Sequence, residues 1–176
     1  MRNFAYTITD PMGEAMHQSI EAIHLAREQR LEIKEVYRPV CRDISQNVDA
    51  NRVSIWFFSE ARDSIQCQCF FDSDTDTFLH GQILTAEDHP EYFKTILTEQ
   101  FIVAPDARTH PATRAFTESY FRPNGIVSLL DHIIHRRYVP VGVICCENAH
   151  EHRDWTQEDQ SYLLQISTLL SFGLAA

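Results

Sequence analysis

The stretch Val139-Pro-Val-Gly-Val-Ile-Cys-Cys-Glu147, which is followed by a polar loop and by Trp155-Thr-Gln-Glu-Asp159, decides the fold. Its first part is an apolar run of strand length that ends in a polar pair, Glu147 and Asn148. A strand this apolar is buried on both faces, so other layers must cover both sides of its sheet. Thr156-Gln-Glu-Asp159 predicts a capping box at the start of a final helix. The apolar face of that helix consists of Tyr162, Leu163, Ile166, Leu169 and Leu170.

The composition predicts one globular domain. The chain has 176 residues, of which 44% are hydrophobic, and a net charge of −10. Because nucleic-acid binding depends on neutralising phosphates, this charge argues against a nucleic acid as a partner. No uncharged apolar run approaches the roughly 18 residues of a membrane span, and the N-terminus lacks a signal pattern. Five scattered cysteines indicate reduced thiols. We therefore expect a soluble, cytoplasmic protein without a membrane partner.

A long helical segment opens the chain. Asp10-Pro11 is typical of a helix start, and apolar residues recur at helical spacing until about Val48. Pro39 lies inside this segment and predicts a kink or a break there. We expect a tail over residues 1–10, a dimerisation or signalling segment over 11–50 and the domain proper over 51–176. The segment is longer than the sheet needs, which favours a homodimer through the N- and C-terminal helices; the alternative is an overhanging solvated helix.

Alternating and β-branched residues then predict the strands of an antiparallel sheet. A hairpin is expected from residues 52–58 and 65–71, and a third strand from Phe78 to Leu84, interrupted by Gly81. Asp88-His-Pro-Glu91 predicts a second capping box, and another helix is expected from Thr113 to about residue 122. Later strands are predicted over 101–104, 126–135 and 139–147.

This order of elements resembles that of the GAF domain family, in particular bacterial GAF domains that precede histidine kinases and cyclic-nucleotide signalling enzymes. The matching motifs are the strand and helix quoted above, Asp106-Ala-Arg-Thr-His-Pro111, Glu118-Ser-Tyr120 and Gly125-Ile-Val-Ser-Leu-Leu-Asp131. The resemblance spans about residues 20 to 174. It implies an α+β fold: an antiparallel sheet with the terminal helices on one face and, on the other, a ligand-pocket roof of short helices, roughly residues 78 to 120.

The resemblance also implies a sensory role, because the family binds cyclic nucleotides, bilins, haem or amino-acid-like metabolites. This chain lacks the Cys-His dipeptide usual in bilin-attaching members and the Asn-Lys-Phe-Asp-Glu signature of cyclic-nucleotide-binding animal members. Both ligands are therefore disfavoured, and the cofactor is unknown. The candidate ligand-binding residues are Trp56, Arg108, Arg114, Tyr120, Asp131 and Glu147.

Asp131 and Glu147 are carboxylates on strands that are otherwise apolar. A buried carboxylate must be paired or hydrogen-bonded, and Arg108 and Arg114 are the expected partners from the roof. These charges either form a polar floor that orients a ligand or are structural ion pairs that fix the roof to the sheet.

Metal and thiol chemistry are the other possibilities. His132 and His135 should lie on opposite strand faces, and His150-Glu-His152 is a weak metal motif, so no metal site is expected. Cys67 and Cys69 should share one strand face, and Cys145 and Cys146 should lie on opposite faces. One GAF branch reduces free methionine sulfoxide with pocket cysteines, which is the enzymatic alternative.

The sequence favours a non-catalytic, small-molecule-binding sensory or regulatory module in cytosolic signal transduction. Its terminal helices would pass the ligand state to an output domain or a partner protein. A ligand-free dimerisation or interaction module is the second possibility, and the thiol reductase is the third. No phosphate-binding glycine loop or Gly-x-Ser-x-Gly elbow occurs.

Overall fold

A computed structural model describes residues 16–149 and 151–173. The predicted tail over 1–10, the helix start at Asp10-Pro11 and His150 lie outside the described residues. In chain order the elements are α1 (His17–Arg27), α2 (Ile33–Asn47), β1 (Arg52–Phe58), β2 (Ser64–Asp72), β3 (Thr77–Leu79), β4 (Ile83–Thr85), α3 (Pro90–Ile96), β5 (Phe101–Ala104), a 3₁₀ turn (Arg114–Phe116), a π-helical turn (Thr117–Phe121), β6 (Ile126–Arg136), β7 (Val139–Ala149) and α4 (Gln157–Gly173).

All strand pairs of the sheet are antiparallel, and the strand order is β3-β2-β1-β7-β6-β5, with β4 also paired to β2. The quoted strand β7 is therefore central, as its composition predicts. A two-residue turn, Arg137–Tyr138, joins β6 to β7 with φ of 52° and 68°, the left-handed conformation that such tight hairpins require. Gly142 is needed where β7 meets β1, because a Cβ there would clash with the carbonyl of Trp56.

Two hydrophobic clusters lie on the two faces of the sheet. On one face, α1, α2 and α4 pack over side chains that include Val40, Ile44, Ile55, Ile144, Leu163 and Ile166. On the other face, α3 and the two short turns form the roof and enclose side chains that include Ile65, Phe93, Ile102, Phe121, Ile133 and Val143. The predicted arrangement, with terminal helices on one face and short helices on the other, is confirmed.

The N-terminal helical segment folds back on itself. It breaks at residues 28–32, where Gln29 has a φ of 58°. Pro39 lies within the continuous helix α2, so of the kink or break predicted there the break is wrong. The buried Asp43 of α2 accepts hydrogen bonds from the backbone N–H and the hydroxyl of Ser19 at 2.8 and 2.6 Å. Its carboxylate thereby caps the first turn of α1 from outside that helix. Over residues 16–50 the segment thus packs on its own domain.

The two predicted capping boxes have different outcomes. At α4 the box is confirmed, because the N–H of Thr156 donates to Asp159 at 2.8 Å and the N–H of Asp159 donates to Thr156 Oγ1 at 3.1 Å. The box predicted at Asp88 is wrong. There the Thr85 hydroxyl donates to Asp88 at 2.6 Å, and α3 begins at Pro90 without a side-chain cap.

The roof is less regular than the sequence predicts. Residues 114–121, predicted as part of one helix, form the 3₁₀ turn and then the π-helical turn. The third strand is interrupted at Gly81, as predicted; Gly81 has a φ of 91° and separates β3 from β4 along the edge of β2. These irregular segments line part of the cavity described next.

Candidate functional site

A cavity of about 400 Å³ lies between the pocket face of the sheet and the roof. Its floor is formed by alternate residues of β1, Arg52, Ser54 and Trp56, because side chains two apart on a strand point to the same face. The apolar part of its wall includes Phe70, Leu79, Leu84, Phe116, Phe121 and Leu129. This volume falls within the range of about 300–1,000 Å³ that is usual for small-molecule sites.

Glu147 of β7 supplies the carboxylate of the cavity floor. It is only 5% exposed, and its Oε2 accepts a hydrogen bond of 2.9 Å from the hydroxyl of Tyr120 in the π-helical turn. Burial raises the pKa of Glu147 to about 7, although the Tyr120 hydrogen bond and the charge of Arg52 act in the opposite direction. Near neutral pH this carboxyl group therefore exchanges between its protonated and ionised forms.

Arg52 lies between two acidic residues on neighbouring strands. Its cross-strand partners are Asp72 of β2 and Glu147 of β7. Arg52 Nε donates to Asp72 Oδ2 at 2.9 Å, and the other oxygen of Asp72 accepts the backbone N–H groups of Asp74 and Thr75. Burial raises the pKa of Asp72, but these hydrogen bonds outweigh burial and lower it below its usual value. Arg52 and Asp72 therefore both stay ionised and form an ion pair at one end of the cavity.

Asp131 of β6 lies behind the cavity wall. It is fully buried, and its Oδ2 accepts a hydrogen bond of 2.8 Å from the hydroxyl of Tyr92 in α3. The thiol of Cys145 on β7 is a second hydrogen-bond partner of this carboxyl group. Burial raises the pKa of Asp131 to about 6, against opposing contributions from Cys145 and Tyr92. Since Tyr92 lines the cavity and Asp131 does not, the tyrosine separates this carboxyl group from the cavity.

A sequence model of the GAF domain matches residues 32–174, which is most of the chain. The chain belongs to the GAF domain family. This GAF domain has the fold of solved relatives, although sequence identity to them is low. A search of curated protein sequences found no significant match.

Three solved structures illustrate the likeness. The GAF domain of an Acinetobacter phosphoenolpyruvate-protein phosphotransferase is 12% identical, with a TM-score of 0.71 and coverage of 96% of this chain and 95% of that one. The phycocyanobilin-bound GAF domain of a cyanobacterial phytochrome is 16% identical, with a TM-score of 0.73 and coverage of 91% and 93%. The GAF domain of the Coxiella burnetii phosphotransferase is 14% identical, with a TM-score of 0.67 and coverage of 93% and 94%. At these identities the likeness concerns the fold.

The structure brings together three of the six candidate site residues of this GAF domain. Trp56, Tyr120 and Glu147 line the cavity, and the indole N–H of Trp56 donates to Ser54 Oγ at 2.8 Å. Arg52 also lines it and is not among the site residues predicted from the sequence. The signal was present, since Arg52 stands two and four residues before Ser54 and Trp56 on a predicted strand.

Arg108 and Arg114 do not pair with the buried carboxylates, so that expectation is corrected. Arg108 Nε donates to the backbone carbonyl of Ile126 at 2.7 Å, and Arg114 is exposed on the 3₁₀ turn. Tyrosine hydroxyls donate hydrogen bonds to the two carboxyl groups instead: Tyr120 donates to Glu147, and Tyr92 donates to Asp131. Neutral donors satisfy a buried carboxyl group in either protonation state, without the desolvation cost of a second buried charge.

The five cysteines of the GAF domain are all buried and unpaired. Cys145 lies on the cavity face and Cys146 on the helix face, as predicted. The shared face predicted for Cys67 and Cys69 is wrong, because a register shift sets Cys67 opposite Trp56 and Cys69 opposite Ile55. Trp56 and Ile55 point to opposite faces, and so do the two cysteines.

Burial also governs the chemistry of these thiols. It raises the pKa of Cys67 to about 12, and the pKa values of Cys41, Cys145 and Cys146 lie well above their usual value for the same reason. The pKa of Cys69 is lowered, chiefly by a hydrogen bond with Cys41, yet Cys69 is only 4% exposed. A reactive thiol needs both a low pKa and access, and none of the five combines them.

Over residues 16–149 and 151–173, no group of three histidine, cysteine or acidic side chains is arranged to hold a metal ion. Over the same residues, no helix has both the length and the apolar character needed to cross a membrane.

Proposed function

We propose that this GAF domain is a non-catalytic sensory or regulatory module that binds a small molecule in the cavity between sheet and roof. The observation that carries the proposal is the hydrogen bond between Tyr120 and Glu147 at the cavity wall. It links an irregular turn of the roof to a central strand through a buried polar group. π-Helical turns occur frequently at functional sites, which supports the same assignment.

The ligand state would reach the terminal helices through the sheet. β7 carries Glu147 on the cavity face and, next to it, Cys146 on the face that packs under the helices. β6 is tied to α4 by a hydrogen bond of 2.7 Å between His132 Nε2 and Ser167 Oγ. A ligand that binds one arrangement of the roof better than another shifts the domain towards that arrangement, and the helices on the other face respond. The size of the shift is limited by the difference between the ligand's affinities for the two arrangements.

The proposal includes a partner. The terminal helices α1 and α4 carry exposed apolar side chains, Ile20 at 44% and Leu164 at 43%. We expect a homodimer through these helices, and an output domain or partner protein in the cytosol that responds to their arrangement. The GAF relatives found in phytochromes and phosphotransferases are consistent with a regulatory setting of this kind.

Native mass spectrometry of the purified protein, with an absorbance spectrum, tests for a retained ligand or pigment. A metabolite library screened by thermal shift then tests for ligands that are lost during purification. We expect at least one compound to raise the melting temperature of wild type and of the exposed control Glu151→Gln, and to do so less in Glu147→Gln.

Two results would contradict the proposal. An unliganded dimer that no metabolite stabilises favours a ligand-free interaction module. Thioredoxin-dependent turnover of free methionine sulfoxide favours the thiol reductase, against which the burial of all five cysteines argues.

A further inference from the structure

We infer that the cavity takes a small organic cation, whose protonated amine pairs with Glu147 and whose apolar body packs against the aromatic wall. The inference rests on the proposed function and specifies the chemical class of its ligand. Three features of the cavity support it: the balance of charges, the aromatic lining and the unused acceptor capacity of Glu147.

The charges at the cavity favour a cation. Three charged side chains line it, Arg52, Asp72 and Glu147, and they sum to −1 when all are ionised. Arg52 is already engaged by Asp72 at 2.9 Å, which leaves Glu147 as the uncompensated charge. A monocation brings the sum to zero, whereas a monoanion makes it −2. In a site of low dielectric constant this difference decides which ligand is accepted.

The lining suits an organic cation. Six aromatic side chains border the cavity: Trp56, Phe70, Tyr92, Phe116, Tyr120 and Phe121. The hydroxyls of both tyrosines are committed to carboxyl groups, so these residues offer the ligand chiefly their rings. Aromatic rings attract ammonium groups electrostatically, and the attraction is strongest in desolvated sites and at tryptophan.

Glu147 retains the capacity to accept an amine. Its Oε2 accepts the Tyr120 hydroxyl, and among the described residues no protein donor bonds its Oε1. A carboxylate offers about four acceptor positions, so an ammonium group with its three N–H donors has places to bind. Such charge-assisted hydrogen bonds are roughly twice as strong as neutral ones.

Binding of an amine requires the ionised form of Glu147 and is therefore coupled to pH. Because burial raises the pKa of Glu147 to about 7, the carboxyl group must lose a proton to pair with the ligand at lower pH. An alkylamine stays protonated throughout, since its pKa is near 10. Affinity for an amine should therefore fall as the pH is lowered through about 7, by up to tenfold per unit below that pKa.

The other titratable and charged groups that face Glu147 do not reverse this pH dependence of amine affinity. Arg52 on β1 stays charged, and the pKa of Asp72 on β2 is lowered, so both keep their charge across this range. Tyr120 of the roof, Tyr92 of α3 and Cys145 of β7 all have pKa values raised by burial and stay neutral.

One further carboxyl group, Asp131 on β6, titrates in this range. Burial raises its pKa to about 6, so it becomes protonated as the pH falls below that value. The loss of its negative charge also disfavours a cation, which reinforces the effect of Glu147.

The test is isothermal titration calorimetry on the full chain with three matched series. Phenylethyl, cyclohexylmethyl and n-hexyl bodies are each offered as an amine, an alcohol and a carboxylate. We expect at least one amine to bind roughly tenfold or more tightly than its alcohol and carboxylate counterparts, the size of one charge-assisted hydrogen bond. Glu147→Gln should remove this preference, so that the amine and its alcohol bind with similar affinity, and the exposed control Glu151→Gln should keep it. In wild type, amine affinity should fall roughly tenfold or more between about pH 7.5 and pH 5.5.

Each other result overturns the inference. If alcohols or carboxylates bind as tightly as the amines, or if Glu147→Gln binds amines like wild type, the ligand class is wrong while small-molecule binding stands. If no compound of any series binds, the ligand class is wrong, and the binding function is then decided separately by the retained-ligand and metabolite tests given above.

Discussion

The hydroxyl of Tyr120 donates to Oε2 of Glu147 at 2.9 Å and joins the roof of the cavity to the central strand β7. The two residues lie 27 positions apart in the chain, so the contact exists only in the folded domain. Both line the cavity, and a ligand that enters must accommodate or displace this hydrogen bond. Under the proposed function, the pair is therefore the point at which stability, protonation and ligand binding would be coupled.

Removing this hydrogen bond should destabilise the domain. We expect Tyr120→Phe to lower the free energy of unfolding by about 1–3 kcal/mol, because a buried carboxyl group loses its donor. Urea unfolding measures the change. The matched control is Tyr138→Phe, at a side chain that is 99% exposed, which should change stability by less than about 0.5 kcal/mol. Equal effects of the two substitutions would show that the hydrogen bond contributes nothing.

Glu147 should make the domain less stable as the pH rises from about 4.5 to about 7. Its pKa is raised by burial from 4.5 to about 7, so in this window the folded state binds more protons than the unfolded state. The stabilisation is complete below the unfolded pKa and is lost as the pH rises through the folded pKa, at a cost of about 3 kcal/mol. Asp131, with a pKa raised to about 6, acts in the same direction.

The variant Glu147→Gln isolates this effect. Glutamine can still accept the Tyr120 hydroxyl but does not titrate. Urea unfolding between about pH 4.5 and pH 7.5 should therefore show a flatter stability profile in the variant than in wild type. The titration of Asp72 does not affect this comparison of stability profiles. Because its pKa is lowered, Asp72 changes the stability only at more acidic pH, where stability falls as the pH falls. Parallel profiles would contradict the assignment.

Some of the sequence predictions were confirmed and others were wrong, both among the local and among the long-range ones. The capping box of Thr156 and Asp159 was predictable because both partners lie within one turn. The central position of β7 was predictable because its apolar run demands cover on both faces. The break in the first helical segment was predicted at Pro39 but lies at Gln29, which has a left-handed backbone conformation. Glutamine rarely adopts this conformation, so the sequence did not indicate the break there.

The site itself was only partly predictable. Alternation on β1 places Trp56 on the cavity face, and the same rule applied four residues earlier would have found Arg52. The partners of Asp131 and Glu147 could not be read from the sequence, since charge alone suggested Arg108 and Arg114. Which donor reaches a buried carboxyl group depends on the packing of the roof, and there two tyrosines do so.

The packing of α1 on its own domain should depend on Asp43. We expect Asp43→Ala to lower stability by about 0.5–2 kcal/mol, because Asp43 caps the first turn of α1 through Ser19. Amide hydrogen exchange should become faster in α1 and stay unchanged in β6 and β7. The control Asp154→Ala, at an exposed side chain, should leave α1 protected. Unchanged protection in Asp43→Ala would mean that the cap does not hold α1 in place.

The homodimer is a prediction that light scattering can decide. We expect the mass of a dimer at micromolar concentration, and a shift towards the monomer in Ile20→Glu and Leu164→Glu, which place a charge on exposed positions of α1 and α4. Circular dichroism would establish that the variants remain folded. A monomer in the wild-type protein at the same concentration would contradict dimerisation.

The native protein should present no reactive thiol. All five cysteines are buried, and burial raises the pKa of Cys145, the cysteine that lines the cavity, well above its usual value. Because the thiolate is the nucleophile, Ellman's reagent should react slowly with the native chain and rapidly, with all five thiols, in concentrated urea. Cys145→Ser serves as the control and should change only the total number of thiols that react in concentrated urea. Rapid reaction of one thiol in the native protein, lost in Cys145→Ser, would place a nucleophile in the cavity and favour the thiol enzyme over the sensory module.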